Sequence, residues 1–273
     1  MRLRNQGYEL APQVKLPEQK WHIKEACCEF IGTAVVLWAV ISALRVLQSQ
    51  STPVAGWFST PTSRVGFIGL TVGLCLVILL LSPLGRSSGG HLNPALTMAL
   101  WLRRTLGWRD LISYTAAQIA GATTGVALSR VLYGPIIDRS PIHDGVLKPA
   151  MTYFLATLTE AGLTCVLLTT VLVFLSNRHL APWCVCPSSI LTALFIWWAG
   201  IASGASLSQA RAIGPDIFVN NYPALSVYLV GPTMGGLAAA AIHFSFKRLP
   251  LTGKIRHDPK RSCTQRCALQ HVR

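Results

Sequence analysis

Long apolar runs separated by short polar connections dominate the chain. Six of them have the length of membrane spans: Ala26 to about Leu47, Val65 to Pro83, Leu111 to Tyr133, Met151 to Leu175, Val185 to Ile201 and Tyr222 to Phe246. A helix rises about 1.5 Å per residue, so roughly 20 residues cross a hydrocarbon core about 30 Å thick. Each run predicts one transmembrane helix. Two shorter stretches do not reach across. In the first, Asn93 suits an N-cap, Pro94 suits the first helical position, and Ala95 to Leu102 stays apolar until Arg103 and Arg104 end it. About ten residues span roughly 15 Å, half of the core, which predicts a re-entrant half-helix. The second short stretch runs from Ser208 to Val219.

Composition supports a membrane reading. A chain of 273 residues with 51% hydrophobic and 12% charged residues has more apolar surface than one soluble core can hide. One all-α membrane domain is therefore expected over residues 26–246, between a basic arm (1–25) and a basic tail (247–273). The net charge of +14 is concentrated in those two segments and in short loops, so membrane orientation accounts for it and no nucleic-acid partner is expected. Six spans place both termini on one side, and the positive-inside rule makes that side the cytoplasm of a multi-pass cell-membrane protein. Met1 to Lys24 lacks the apolar segment of a cleavable signal, so the first span is expected to direct insertion. Among the eight cysteines, Cys263 and Cys267 lie near His257 and His271, but their spacing matches no standard zinc finger. No metal or cofactor is expected.

The chain also carries an inverted repeat. Glu29-Phe-Ile-Gly-Thr33 opens the first span, and Glu160-Ala-Gly-Leu-Thr164 lies early in the fourth. After the second and fifth spans come Ser88-Gly89 leading to Leu92-Asn93, and Ser203-Gly204 leading to Leu207-Ser208. Spans three and six both present small residues, Gly121 and Gly125 in one and Gly231, Gly235 and Gly236 in the other, which let helices approach closely in lipid. Three spans per half give the halves opposite topology, about 26–133 against 151–246, so one half-helix enters from each face and their N-termini meet near the midplane. Irregular backbone at that depth is tolerated only when buried in protein or lining a watery path. Two helix N-termini facing each other repel cations, which is the physics of a path for neutral solutes.

These residues resemble the aquaporin and glycerol-facilitator family, the major intrinsic proteins. The likeness covers about Ala26 to Phe246 and rests on Gly-Gly-His91-Leu-Asn93-Pro94-Ala95-Leu-Thr, on Ala117-Gln118-x-x-Gly121, and on Ala210-Arg211-x-x-Gly214-Pro215. The resemblance implies six helices and two half-helices around a pore in each subunit of a homotetramer, with water and small uncharged solutes passing through the bilayer. The second half departs from the family pattern. Its Asn-Pro-Ala is replaced by Ser208-Gln209-Ala210, so a hydroxyl is expected to cap the helix and to stand for the amide donor, and Gln209 is expected to reach toward the midplane. Asn221-Tyr222-Pro223-Ala224 follows the Arg and Gly-Pro landmarks and is set aside as a decoy.

The resemblance also implies a constriction beyond the midplane. Counting from the matched motifs without gaps places it at Gly73, Ile196, Ala205 and Arg211, a set without the aromatic residues of water or glycerol channels, so a wider opening is expected. An arginine at membrane depth needs a watery path with acceptors, which gives Arg211 the role of donor and cation barrier. Glu29 and Glu160 are expected to accept from the backbone of their own half's loop, and His91 to hydrogen-bond beneath its loop. No nucleophile, base and orienting group recur together, so an enzyme is not expected. Two readings remain, a passive channel for water and glycerol-like solutes and an interaction protein that keeps the fold without transport.

Overall fold

The structure is a computed structural model that describes residues 20–49, 52–219, 222, 224–246, 250, 252–256 and 265. The arm before residue 20, most of the tail with its cysteines and histidines, and Asn221 and Pro223 of the decoy lie outside the described residues. Nine α-helices are present among the described residues: α1 Ile23–Gln48, α2 Pro61–Leu81, α3 Pro83–Ser88, α4 Pro94–Leu102, α5 Trp108–Tyr133, α6 Tyr153–Leu175, α7 Val185–Ala199, α8 Gln209–Asp216 and α9 Leu225–Ser245. Four of these, α1, α2, α6 and α9, are long and apolar enough to cross a bilayer. α5 has the length but carries Gln118, Thr123, Thr124 and Ser129 along it, and α7 is apolar with 15 residues.

The helices pair by pseudo-symmetry. α1 packs along α5, α6 packs along α9, and α2 packs along α7 across the relating axis. Glycines make these crossings close. Gly121 of α5 faces the carbonyl of Phe30, the residue after Glu29, and Gly235 of α9 would place a Cβ 2.5 Å from the carbonyl oxygen of Ala161, the residue after Glu160. Backbone-to-backbone packing of this kind substitutes for the hydrophobic drive that lipid does not supply.

Two breaks create the half-helices. Ser82 ends α2, and its hydroxyl accepts from Leu84 N at 3.2 Å to start α3, a helical turn that a span running to Pro83 does not anticipate. α4 and α8 have 9 and 8 residues. At 1.5 Å per residue they measure about 13 and 12 Å, and placed tip to tip they approach the roughly 30 Å of a hydrocarbon core. α4 is held against α5 and α9, α8 is held between the same two helices, and α4 touches α8.

Candidate functional site

The two loops before α4 and α8 follow one backbone path. Gly89 and Gly204 have φ of 102° and 99°, Gly90 and Ala205 of 69° and 44°, and Leu92 and Leu207 of 49° and 57°. Asn93 and Ser208 then return to extended backbone at −155° and −153°. A leucine at positive φ is strained by roughly 1–3 kcal/mol, so neighbouring bonds must hold it. Each loop has its own carboxylate for this. Glu29 accepts from His91 N (3.0 Å) and Leu92 N (2.6 Å), and Glu160 accepts from Ser206 N (3.1 Å) and Leu207 N (3.0 Å). Gln118 Nε2 donates to Glu29 at 2.8 Å, and Ser203 Oγ donates to Glu160 at 2.8 Å. A tyrosine supports each loop from behind: Tyr114 OH donates to Ser88 O (2.9 Å), and Tyr228 OH donates to Ser203 O (2.6 Å). The sequence reading missed this pair. Its signal is spacing, since Tyr114 and Tyr228 each stand seven residues before a crossing glycine, Gly121 and Gly235.

The tips of the two loops meet through Asn93. Its Oδ1 accepts from Ala95 N at 2.9 Å and caps α4, while Nδ2 donates across to Leu207 O at 2.7 Å. Pro94 sits at the first position of α4, and Ala95 and Ala210 are fully buried small residues in the packed interior. Ser208 differs from Asn93. It occupies the N-cap position of α8 but makes no cap hydrogen bond, so the expectation that its hydroxyl caps the helix is corrected. That hydroxyl is buried and has no protein partner. Gln209 also departs from expectation. Its Nε2 donates to Thr233 Oγ1 of α9 at 2.9 Å, so the side chain turns toward α9 and does not line the cavity.

A cavity of about 120 Å³ passes the meeting point. A single water needs roughly 10–15 Å³ by the same measure, so the space holds a file of waters or one small solute. Asn93, Ser206, Ser208 and Arg211 are polar residues of its lining, and Val40, Val72, Leu76, Leu80 and Leu167 are aliphatic ones. Ile196, Ala205 and Arg211 line it, as does His91. Gly73 does not. A Cβ there would stand 2.9 Å from Ala193 Cβ and 3.1 Å from Ser189 O, so Gly73 belongs to the α2–α7 crossing, and Val72, one residue round the helix, faces the cavity. Ser188 and Thr192 of α7 add hydroxyls to the wall that the sequence reading did not single out.

Arg211 is held from the loop after α5. Its Nη1 donates to Gly145 O at 2.7 Å, and that loop is clamped by a bidentate pair from Arg130 to Asp144 at 2.9 and 2.7 Å. The planar guanidinium forms two parallel bonds to the carboxylate, which fixes Gly145 and with it the cation beside the path.

A membrane bundle with two broken helices meeting beside a single path of mixed polarity defines a channel for uncharged solutes. The chain matches the family model described as Major intrinsic protein over residues 17–243 and belongs to that family. It is 32% identical over 221 residues to Aquaporin NIP1-3 of Oryza sativa subsp. japonica, an alignment covering 80% of this chain and 71% of the relative. It is 27% identical over 259 residues to the propanediol uptake facilitator PduF of Citrobacter freundii, covering 81% of this chain and 91% of that one. The fold matches the X-ray structure of the aquaglyceroporin from Plasmodium falciparum with a TM-score of 0.62 at 20% identity, over 81% of this chain and 95% of that chain. The protein is a membrane channel for water and small neutral solutes and not an enzyme.

Proposed function

We propose that the channel is a passive facilitator whose path admits water and small polyols through a constriction wider than that of a strict water pore. The observation that carries this reading is a cavity lined both by polar residues, Asn93, Ser206 and Arg211, and by aliphatic ones, Val72, Leu76 and Leu80. A polyol needs both surfaces, hydroxyl partners along one edge and apolar contact for its C–H edge. An ion finds no replacement for its water shell along the aliphatic wall, and its desolvation is costly. Asn93 is the midplane contact in this reading, with Pro94, Ala95, Ser208, Gln209 and Ala210 shaping the half-helix starts. Val72, Ile196, Ala205 and Arg211 form the constriction, and Glu29, Glu160 and His91 support the loops. PduF, named for propanediol uptake, is a relative whose solute has this character.

The unit is residues 26–246, flanked by an arm and a tail that both face the cytoplasm of a cell membrane, and four copies assemble. The basic residues of both ends and the exposed apolar faces of the helices, such as Leu74 and Ile78 of α2, support this arrangement. The test is a solute panel in proteoliposomes. Water, glycerol and 1,2-propanediol should cross well above protein-free vesicles, and sucrose should not. Permeability to the first three at the protein-free level, through the intact chain and through its Ile255→Gly variant alike, would reject the proposal.

A further inference from the structure

Beyond α9 the chain returns to the body of the protein. Thr252, Lys254 and Ile255 are buried, Lys254 to 3% exposure and Ile255 to 4%. A lysine is rarely buried so far unless its ammonium has been given acceptors. Its acceptor is Ser87 O, one of the carbonyls at the end of α3 that a helix end leaves without internal donors, and the segment's other donors take the next two carbonyls. Lys254 Nζ donates to Ser87 O at 2.6 Å, Gln265 Nε2 to Ser88 O at 3.2 Å, and Ile255 N to Gly89 O at 2.9 Å. The loop answers with one bond of its own, because His91 Nε2 lies 2.7 Å from Gly253 O. A carbonyl only accepts, so that ring nitrogen carries the proton. The surface is shaped for this segment. A Cβ on Gly89 would stand 2.8 Å from Lys254 Cγ and 3.0 Å from Lys254 Cα.

The result is a side chain brought to the wall of the path. Ile255 lines the same cavity as Arg211 and Asn93. Val72, Leu76 and Leu80 follow the cavity along α2 at successive turns, about 12 Å from first to last. Ile196 packs beside the Val72 end, and Gly90, next to the residue that Ile255 bonds, packs against Leu80. Ile255 therefore stands at the end of the path remote from Ile196, on the side where α3 and the end of α9 lie. The half-helix geometry itself is already held from other elements by Glu29, Gln118 and Tyr114. The docked segment adds a stopper to a mouth that is built without it.

We propose that Thr252–Arg256 is an autoinhibitory plug, with Ile255 as its stopper and Lys254 and Gly253 as its anchors on the Ser87–His91 loop, so that solute passes when the segment leaves. The proposal rests on the channel reading above, and the test separates the two. The intact chain and its variants Ile255→Gly, Ile255→Ala and Lys254→Met are reconstituted, and glycerol uptake is followed by light scattering with sucrose as the excluded control. Ile255→Gly keeps the backbone bond to Gly89 and removes only the stopper, so glycerol permeability should rise about tenfold. Ile255→Ala should give an intermediate rise. Lys254→Met keeps the aliphatic stem, loses the bond to Ser87 O, and should also raise the rate, with sucrose excluded throughout. Equal rates above protein-free vesicles would overturn the plug and leave the channel. Equal rates at the protein-free level would overturn both. A reversed ranking, or sucrose entry in step with glycerol, would also overturn the plug.

Discussion

Glu29 and Glu160 are both fully buried, yet each has its charge distributed over donors from one loop. Glu160→Ala would orphan Ser206 N and Leu207 N, at roughly 1–3 kcal/mol for each buried donor left alone, and leave Ser203 Oγ only Ala199 O at 3.4 Å. The expected outcome is a clear fall in melting temperature in detergent and loss of solute permeation. Tyr228→Phe removes one bond, to Ser203 O, and should cost about 1 kcal/mol while permeation persists. An unchanged melting temperature for Glu160→Ala would contradict the loop-holding role. The α2 wall gives a second contrast. Val72→Phe should narrow the cavity and cut glycerol flux more than water flux, whereas Gly73→Phe should prevent stable folding, because even a Cβ there comes within 2.9 Å of Ala193. Flux ratios in vesicles and yield of folded protein separate the two positions. If Gly73→Phe folded and selectively lost glycerol flux, the assignment of Val72 to the path would be wrong.

The elements differ in how legible they were. The half-helix at α4 could be read because Asn93 and Pro94 mark a helix start whose apolar run is too short to span, and chemistry and length agree there. The second half-helix lacked the Pro signal and was legible through its partner, since Ser203-Gly204 and Leu207-Ser208 repeat the first loop. α3 was not legible, because Ser82 and Pro83 read equally as the end of one helix and the start of the next, and the structure uses them as both. Gly73 was misplaced by counting. In a helix one residue is about 100° of rotation, so an error of one moves a side chain from the path to a helix crossing. Tyr114 and Tyr228 carry no signal of their own until the glycine crossings are known. Gln209 reads as a midplane residue from its place in the motif, but the Thr233 hydroxyl on α9 offers a partner that the motif does not encode. Ser208→Asn tests the asymmetry between the half-helices. An Asn in that extended backbone should cap α8 as Asn93 caps α4, raise stability by about 1 kcal/mol, and slow glycerol more than water as the cavity fills. A thermal melt and paired flux assays check it, and loss of stability would contradict the symmetry argument.

The whole molecule is organised as two halves that hold each other. The α1–α5 and α6–α9 pairs set the carboxylates and tyrosines, these set the two loops, and the loops bring α4 and α8 together where Asn93 reaches Leu207 O. The same arrangement brings both helix N-termini together and puts Arg211 beside the path, and in the proposed reading the positive field this makes excludes protons along with other cations. Neutral solutes do not feel that field. The most direct measurement is therefore simultaneous glycerol uptake and proton entry in one preparation of proteoliposomes loaded with a pH-sensitive dye. Glycerol should enter several times faster than into protein-free vesicles with no added proton entry, and Arg211→Ala should admit protons. Proton entry in step with glycerol through the unaltered chain, or no glycerol entry through it or its Ile255→Gly variant, would contradict the account.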